Sequence, residues 1–252
     1  MSIVTVVKNG RRHLQSAMES VAHQDYPHIE YIVIDGGSTD GTVELIDRNA
    51  SAISRWVSEP DRGIYDAMNK GIAFTTGAIV KLLNADDVLT DGSVSAAVAA
   101  YRSGARGVIT GGMEVIDAEG RALAIVERPH GITPFGGFAH PSWYVARDVY
   151  VTQGLYSTRL SIGADYEMFV RLHAAAIPFN HLGTLLVGFR TGGASYGLSG
   201  MRDRFLVNEH YFGRRAALTM AARQGAAKLR RRAVESLLGQ RATFKLRRFV
   251  RR

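Results

Sequence analysis

The sequence predicts an α/β protein in which a mostly parallel sheet carries helices on both faces and a basic helical tail follows. Two observations predict the sheet. Short strand-like runs recur at residues 3–7, 31–34, 55–58 and 79–83, and segments with apolar residues at helical spacing separate them. Parallel strands need crossover helices between them, so this alternation is typical of a parallel sheet. A third observation, the distribution of charge, predicts the tail.

Charge is unevenly distributed along the 252 residues. Residues 201–252 hold 15 Lys and Arg against 3 Asp and Glu, whereas the first 200 residues hold 16 against 20. Between the basic residues, apolar residues recur at helical spacing from Leu229 to Val250. We therefore expect a catalytic body at residues 1–200 and a basic amphipathic helical extension at residues 201–252.

The extension indicates an anionic partner. A basic amphipathic helix suits an anionic membrane surface, where each exposed basic residue adds about 1 kcal/mol. Nucleic-acid binding is the rival explanation of the charge, but no aromatic-rich groove or recognised nucleic-acid motif accompanies it. We expect a membrane surface and no nucleic acid, and the sequence predicts no oligomeric state.

Composition excludes several kinds of site. The chain has no cysteine, which excludes disulfides, thiolate metal sites and a cysteine nucleophile. Its eight histidines show no spacing typical of a zinc site. The N-terminus enters a strand at once and no run of 18 apolar residues is present. We therefore expect a cytoplasmic protein that can lie on the inner face of the cytoplasmic membrane.

The first half predicts strands and helices in strict alternation. One face of the first helix, at residues 12–22, collects its apolar residues at spacings of three and four, as expected for a helix packed on a sheet. Further helices are predicted through residues 43–46 and 64–73. Four strands and three helices therefore precede residue 90.

The second half changes character. Its predicted helices lie at residues 94–101, 147–153 and 163–172, and its predicted strands at residues 107–111, 113–117, 142–145 and 182–189. Residues 128–139 are rich in Gly, Pro and Phe without periodicity, which indicates a loop close to substrate. Arg190 and the pair Gly192-Gly193 follow the last strand, and a loop of this composition can close over a ligand.

The second strand ends in a glycine-rich turn, Asp35-Gly36-Gly37-Ser38-Thr39-Asp40-Gly41-Thr42. Glycines permit close approach of the backbone, and a strand, turn and helix in this order receive the phosphate or ribose of a nucleotide. The turn is neither a Walker A sequence nor a GxGxxG motif. A purely architectural turn is the alternative, and the sequence leaves both open.

The fourth strand ends in three polar residues, Asn84, Asp86 and Asp87. Ligands bind at the carboxyl edge of an open α/β sheet. Two adjacent carboxylates repel each other and are costly to desolvate unless a cation or hydrogen-bond donors compensate them. Mg²⁺ or Mn²⁺ holding substrate phosphates would do so, and a solvated turn is the alternative.

Five motifs together resemble those of one enzyme family. They occur in family order at residues 2–9, 35–42, 58–71, 84–87 and 164–167. Over residues 2–200 the chain closely resembles the family 2 glycosyltransferases with a GT-A fold, especially the small bacterial enzymes that build polysaccharide and glycolipid. The resemblance implies a Rossmann-like nucleotide-binding sheet and a nucleotide-sugar donor, most often UDP-linked. It also implies an inverting single displacement onto a saccharide or lipid-linked acceptor.

The resemblance implies roles for individual residues. Asp87 matches the direct ligand of a divalent metal, Mg²⁺ or Mn²⁺, and Asp165 matches the general base. The donor-binding positions are Thr5 and Val6 beside the nucleobase, Asp35 and Asp61 beside the nucleoside, Asn69 and Lys70 on the donor-side helix, and Asp86 facing the ribose.

Two departures from the family pattern concern the donor. Asn84 stands where many relatives have the first Asp of the metal motif, which weakens the expected metal affinity. Met68 stands where many have an Arg, so Lys70 or Arg62 would have to supply the charge beside the phosphates.

The chemistry of sugar transfer agrees with this assignment. A carboxylate such as Asp165 can take the proton of the attacking hydroxyl, and a metal can neutralise the diphosphate leaving group. A helix N-cap is the alternative role for Asp165. His140 is either a contact to diphosphate or acceptor, or a buried core histidine.

Two other functions remain open. A sugar-phosphate nucleotidyltransferase also uses an α/β nucleotide-binding sheet, but it wants a Gly-rich loop bearing Lys or Arg after the first strand, and residues 8–12 imitate that loop poorly. A catalytically silent nucleotide-sugar-binding scaffold is the third reading, and the presence of both Asp87 and Asp165 argues against it.

Overall fold

The protein is described here by a computed structural model, which covers residues 1–127, 139–192, 200–223 and 225–226. The strands are β1 (Ser2–Val7), β2 (Glu30–Asp35), β3 (Arg55–Ser58), β4 (Ile79–Asn84), β5 (Val88–Leu89), β6 (Val108–Ile116), β7 (Ala122–Val126), β8 (Tyr144–Ala146) and β9 (Phe179–Arg190). The helices are α1 (Arg11–Ala22), α2 (Thr42–Arg48), α3 (Ile64–Ala73), α4 (Ser93–Arg102), α5 (Arg147–Gln153), α6 (Ala164–Ala174) and α7 (Gly200–Phe212). Residues 214–223 are also helical.

All nine strands join one sheet, in the order β3-β2-β1-β4-β8-β6-β9-β5, with β7 paired to β6. The strands of the first half, β3, β2, β1 and β4, pair in parallel, as their alternation with helices predicts. Beyond β4 the sheet is mixed: β8 pairs antiparallel with both β4 and β6, whereas β6 and β9 are parallel. The change of character after residue 90 is thus a change in strand direction.

Helices cover both faces of the sheet, as predicted. Along β1, Val4 and Val6 pack in one apolar cluster with α3 and α6, while Ile3 and Val7 pack in the other with α1, α2 and α4. Every residue of β1 is buried because both of its faces are covered. Burial on both faces explains why this strand is a continuous apolar run rather than an alternating one.

Several predicted strand boundaries were wrong. The two strands predicted at residues 107–111 and 113–117 are one strand, β6 (Val108–Ile116), and the bulges at Gly111 and Gly112 stay within it. A side chain at Gly111 would meet the Thr184 carbonyl oxygen at 2.6 Å, so glycine permits the close pairing with β9. Strands β5 and β7 were not predicted. Residues 140–142 form a 3-10 turn, which delays the start of β8 to Tyr144.

The first helix of the basic extension packs on the body. In α7, Val207 and Asn208 are buried against α6, and the Tyr166 hydroxyl donates to Asn208 Oδ1 at 2.7 Å. Residues 200–212 therefore pack with the body, although the boundary between body and extension was expected at residue 201. The predicted amphipathic tail, residues 227–252, lies outside the described residues. Among the described helices, none combines the length and apolar character needed to cross a bilayer.

Candidate active site at the carboxyl edge of the sheet

Three parallel strands bring their carboxyl ends to one edge. In the ladder registers, Val7 of β1 pairs with Asp35 of β2, and Val6 pairs with Asn84 of β4. The loops that follow these strands hence share one edge, which is where ligands bind in open α/β sheets. The glycine-rich turn and the acidic residues, although about fifty residues apart in the sequence, become neighbours here.

Asp35 organises the glycine-rich turn. Its Oδ2 accepts hydrogen bonds from the Gly37 and Ser38 backbone N–H groups at 3.1 and 2.9 Å and from the Ser58 hydroxyl at 2.7 Å, and the Ser38 hydroxyl donates to its Oδ1. The residue is fully buried. Asp35 thus ties the turn to β3, an architectural role, and its contact with a nucleoside stays a prediction.

Asp61 lies against the same turn. The Gly63 N–H donates to Asp61 Oδ1 at 2.9 Å, and a side chain placed on Gly36 would collide with Asp61 Oδ2. Only glycine at position 36 lets this carboxylate approach the backbone so closely. Asp61 is half-buried, so it presents a carboxylate at the edge beside the turn, in line with the predicted nucleoside position.

Thr5 and Val6 lie within the sheet. The side chain of Thr5 is fully buried and its hydroxyl oxygen accepts a hydrogen bond from the Tyr31 hydroxyl at 3.0 Å, while Val6 is 6% exposed. Neither side chain offers surface at the edge in this structure. Their predicted place beside a nucleobase remains untested, and their clear role is to support β1.

The Asn69 side chain bonds the backbone of a neighbouring segment. Its amide forms a reciprocal pair with the backbone of Tyr156: Nδ2 donates to the Tyr156 carbonyl oxygen at 2.8 Å, and Oδ1 accepts from the Tyr156 N–H at 3.0 Å. The pair joins α3 to the segment that follows α5. The amide thus makes a structural link, and the predicted contact of Asn69 with the donor stays a prediction.

Lys70 forms ion pairs with acidic neighbours. Its Nζ lies 2.8 Å from Glu59 and 3.7 Å from Asp66, and it donates to the Pro60 carbonyl oxygen at 3.2 Å. Arg62 also pairs with Asp66, at 2.8 Å, but its side chain is 80% exposed. Of the two residues expected to supply charge beside the phosphates, Arg62 is therefore the freer to meet a ligand.

The two carboxylates after β4 have different surroundings. Asp87 is 1% exposed; its Oδ1 accepts from the Arg190 backbone N–H and its Oδ2 from the Asn84 amide, both at 3.0 Å. Burial raises the pKa of Asp87 to about 7, and the charge of Asp86 adds to the rise. Asp86 is half-buried, and among the described residues none donates a hydrogen bond to its carboxylate.

The residues present fit a divalent ion that shares its coordination with a ligand. The described part of the chain has no cluster of three or more acidic or histidine side chains that could enclose a metal. Mg²⁺ bound with nucleotide phosphates needs only one or two protein carboxylates. Asp86 offers such a carboxylate, whereas both oxygens of Asp87 already accept protein hydrogen bonds.

Arg190 secures the acidic loop through its hydrogen bonds. Its Nη1 donates to the Asp117 and Ala118 carbonyl oxygens, and its Nε donates to the Asp86 carbonyl oxygen, all at 2.9 Å. The side chain is 6% exposed. Arg190 was expected to take part in loop closure, but these contacts leave it little freedom. Residues 193–199 of the same loop lie outside the described residues.

His140 is a core histidine. Its Nε2 lies 2.8 Å from the Tyr156 hydroxyl, and burial, with the nearby charge of Lys81, lowers the pKa of His140 to about 3. Lys81 is itself fully buried; its Nζ donates to the Pro141 carbonyl oxygen, and burial lowers its pKa to about 7. This interior polar cluster lies between β4 and the 3-10 turn, and it settles the alternative for His140 in favour of the core.

Asp165 has one carboxylate oxygen held and one open. Oδ1 accepts from the Tyr166 N–H at 2.7 Å and from the Tyr65 hydroxyl at 3.3 Å, while no described residue donates to Oδ2. Burial raises the pKa of Asp165, and the hydrogen bond from Tyr166 and the charge of Arg204 oppose the rise. Helix α6 begins at Ala164 with Gly163 as its N-cap residue, so Asp165 is not the N-cap.

Some residues of the site carry no signal in the sequence. Arg190 appeared only as part of a glycine loop, and Asp203 of α7 is one of three acidic residues in a basic extension. Asp203 is nevertheless 5% exposed and contacts the segment just before Asp165. Only the presence of an isolated acidic residue among cations could have drawn attention to it.

Comparison with known proteins identifies the family of the chain. The family described as "Glycosyl transferase family 2" matches residues 2–156. An uncharacterised glycosyltransferase of Mycobacterium tuberculosis (strain CDC 1551 / Oshkosh) is 31% identical over 181 residues, 68% of either chain. A PGL/p-HBAD biosynthesis glycosyltransferase of Mycobacterium bovis (strain BCG / Pasteur 1173P2) is 34% identical over 103 residues, 40% of either chain.

Solved structures show the same fold. Staphylococcus aureus TarS 1-349 in complex with UDP-GlcNAc has a TM-score of 0.68 at 15% identity, over 83% of this chain and 64% of that one. The mannosyltransferase PcManGT from Pyrobaculum calidifontis, in complex with GDP-Man and Mn²⁺, has a TM-score of 0.62 at 19% identity. The match covers 97% of this chain and 77% of that one. These similarities confirm the predicted GT-A-type fold. With a family match over more than half of its length, the chain belongs to glycosyl transferase family 2.

Proposed function

We propose that the protein is an inverting glycosyltransferase that moves a sugar from a nucleotide-sugar donor, a UDP-sugar by the family pattern, to a hydroxyl of a saccharide or lipid-linked acceptor. The observation that carries the proposal is the Asp165 carboxyl group. One of its oxygens is held by Tyr65 and Tyr166 and the other is open among the described residues. This is the arrangement that a general base needs.

Asp165 would remove the proton of the acceptor hydroxyl as that oxygen attacks the anomeric carbon. The bond from the anomeric carbon to the donor phosphate breaks as the new glycosidic bond forms, and the proton passes to the open Oδ2. The burial that raises the pKa of Asp165 makes it a stronger base than an exposed aspartate.

We assign the direct metal contact to Asp86 rather than to Asp87. Asp86 is half-buried and accepts no hydrogen bond from a described residue, whereas Asp87 is buried and holds the Arg190 backbone and the Asn84 amide. A divalent ion there would neutralise the charge that develops on the diphosphate leaving group. The Mn²⁺ in the PcManGT complex supports divalent metal use in this fold.

The donor class is supported by the structural relatives. TarS was solved with UDP-GlcNAc and with UDP, and PcManGT with GDP-Man. In this chain, Asp35, Asp61 and the glycine-rich turn lie together at the carboxyl edge of the sheet, where we place the donor. We infer a sugar nucleoside diphosphate as the donor.

The acceptor proposal rests on the extension and one relative. The Mycobacterium bovis relative is named for PGL/p-HBAD biosynthesis, which supports a role in glycolipid or cell-surface polysaccharide assembly. In the described part of the extension, Leu206, Phe212 and Leu218 are 42%, 41% and 55% exposed, next to the exposed Arg214 and Arg215. Exposed apolar and basic side chains together suit an anionic membrane surface on the cytoplasmic side.

The first test is thermal stability against UDP, GDP and dTDP and their sugars, with and without Mn²⁺ or Mg²⁺. Binding to the native state raises the midpoint by mass action. We expect a metal-dependent rise with one nucleoside diphosphate and its sugar. No shift with any nucleotide would contradict the donor site.

The second test separates the alternatives. We expect the preferred sugar nucleotide to release its nucleoside diphosphate slowly with water in place of the acceptor, and Asp165→Asn to abolish the release while keeping donor binding. Pyrophosphate release from a nucleoside triphosphate and a sugar phosphate would favour the nucleotidyltransferase. Binding without any release would favour the silent scaffold.

A further inference from the structure

A single carboxylate on another helix binds the three residues that precede helix α6. Asp203 Oδ2, on α7, accepts hydrogen bonds from the backbone N–H groups of Ser161 at 2.7 Å, Ile162 at 2.9 Å and Gly163 at 3.3 Å, and from the Ser161 hydroxyl at 3.0 Å. We call Ser161–Gly163 the base-leading segment, because Asp165 follows it by two residues.

The close approach of the two elements depends on glycine. A side chain on Gly163 would lie 2.6 Å from the Asp203 Cβ atom, so any larger residue would push α7 away. Asp203 is 5% exposed. Burial by itself would raise the pKa of Asp203, but the hydrogen bonds from Ile162, Ser161 and Gly163 outweigh it and lower the pKa.

The opposite side of the same segment is held by helix α3. The Tyr65 hydroxyl donates to the Ile162 carbonyl oxygen at 2.7 Å, and the Asp165 N–H donates to the Tyr65 oxygen at 3.4 Å. Tyr65 is 6% exposed. The base-leading segment is thus clamped between α3 and α7. Its N–H groups donate to Asp203 of α7, and one of its carbonyl oxygens accepts from Tyr65 of α3.

The clamp and Asp165 bond different backbone groups. Gly163, the N-cap residue of α6, has no side chain that could cap the helix. Asp203 accepts the N–H groups of residues 161–163, ahead of the first turn, whereas Asp165 Oδ1 accepts the N–H of Tyr166 within it. No described residue donates to the second oxygen of Asp165, which stays available for a proton.

We propose that Asp203 is a positioning residue for the general base Asp165, so that helix α7 of the basic extension is part of the catalytic apparatus. The inference rests on the proposed function of Asp165. Asp203 acts through the backbone of the base-leading segment, whose N–H groups it binds, and so fixes the direction in which α6 enters the site. A carboxylate displaced by about 1 Å from the attacking hydroxyl can cost up to about a hundredfold in rate.

The experiment compares four variants of the full chain: Asp203→Ala, Asp203→Asn, Glu209→Ala and Asp165→Asn. Glu209 is the matched control, because it is a carboxylate on the same helix whose ion pair, at 3.9 Å, is with Arg214. The amide oxygen of Asp203→Asn can still accept hydrogen bonds from the base-leading segment. The readouts are nucleoside diphosphate release from UDP-GlcNAc and from GDP-mannose, donor binding by calorimetry, and hydrogen exchange of residues 161–163.

We expect Asp203→Ala to lower kcat by about tenfold to a hundredfold, with the donor dissociation constant within about twofold of the parent, and to speed amide exchange at residues 161–163. Asp203→Asn should recover most of kcat and Glu209→Ala should match the parent. A parent-like kcat in Asp203→Ala, while Asp165→Asn is inactive, would overturn this inference alone. Equal loss of donor binding in both Asp203 variants would also overturn it, because the defect would then be general unfolding. Parent-like release by Asp165→Asn would overturn the base assignment and this inference with it.

Discussion

The Tyr65 hydroxyl lies 3.3 Å from Asp165 Oδ1, across one hundred residues of sequence. Tyr65 belongs to α3, the helix that follows the donor-side motif, and Asp165 belongs to α6. The contact places the proposed base against the helix that we expect to border the donor. On that proposal, one tyrosine connects the donor side of the site to the base.

Replacing Tyr65 should reduce turnover more than binding. Tyr65→Phe removes the hydroxyl, whose single proton bonds the Ile162 carbonyl oxygen at 2.7 Å and lies near Asp165 Oδ1 at 3.3 Å, and the loss should cost about 1 kcal/mol of unfolding free energy. We expect a severalfold lower kcat with unchanged donor affinity, measured by nucleoside diphosphate release and calorimetry. Tyr150→Phe is the control, since Tyr150 is equally buried and bonds only Tyr156, at 3.4 Å. Similar kcat values for the two variants would contradict the role of Tyr65.

Substitutions at Asp86 and Asp87 should have different effects, the first on metal binding and the second on the stability of the fold. Asp86→Asn should abolish the Mn²⁺-dependent part of nucleotide stabilisation, with little change in stability without ligand. Asp87→Ala should instead lower the free energy of unfolding by about 1–3 kcal/mol, since the buried Arg190 N–H and Asn84 amide lose their acceptor. Thermal melts with and without Mn²⁺ and UDP test both. If Asp87→Asn, and not Asp86→Asn, removes the Mn²⁺ effect, the metal assignment is reversed.

Gly36→Ala should weaken nucleotide binding. The new methyl group would collide with Asp61 Oδ2 and displace the half-buried Asp61 from the turn. We expect a loss of affinity for the nucleoside diphosphate, measured by calorimetry, with the fold retained by circular dichroism. Gly183→Ala is the control, because nothing lies within 4 Å of a side chain at that position. Parent-like affinity in Gly36→Ala would argue against a nucleoside contact by Asp61.

The buried Lys81 should make the free energy of unfolding depend on pH. Burial lowers its pKa to about 7, well below the ordinary 10.5, so the unfolded chain binds more protons than the folded chain between those values. Stability should then rise with pH in this window, by up to about 1.4 kcal/mol per pH unit. Urea unfolding without metal at pH 7.5 and 9.0 measures the slope. Lys81→Met should flatten it, and the exposed Lys8→Met should not; equal slopes in parent and Lys81→Met would contradict the assignment.

The basic tail should anchor the protein to anionic vesicles. We expect the full chain to sediment with phosphatidylglycerol-containing liposomes in a salt-dependent manner. A chain lacking residues 227–252 should lose most of this binding while it keeps nucleotide affinity. Sedimentation of the shortened chain to the same extent would show that the tail is not the anchor.

Local pattern was enough to predict much of the fold. Strands β1, β2 and β4 are buried on both faces and therefore read as continuous apolar runs, and α1 repeats its apolar residues every three or four positions. Strand β5 could not be found this way, because its two residues pair with Val187 and Gly188, about a hundred positions away. A strand this short forms only by pairing with a distant strand, and the local sequence pattern does not reveal that partner.

The sequence by itself determined where the candidate residues stand: carboxylates after β2 and β4, a glycine at position 36, and Asp165 near a helix start. Only the tertiary structure decided which of them stay free to act. Folding buries Asp87 under Arg190 and leaves Asp86 without a described donor. It commits the Asn69 amide to the backbone of Tyr156 and brings Asp203 to the start of α6. Residue type and spacing are local properties of a chain, whereas burial and hydrogen-bond partnership arise between segments that meet only when the whole sheet and its helices pack together.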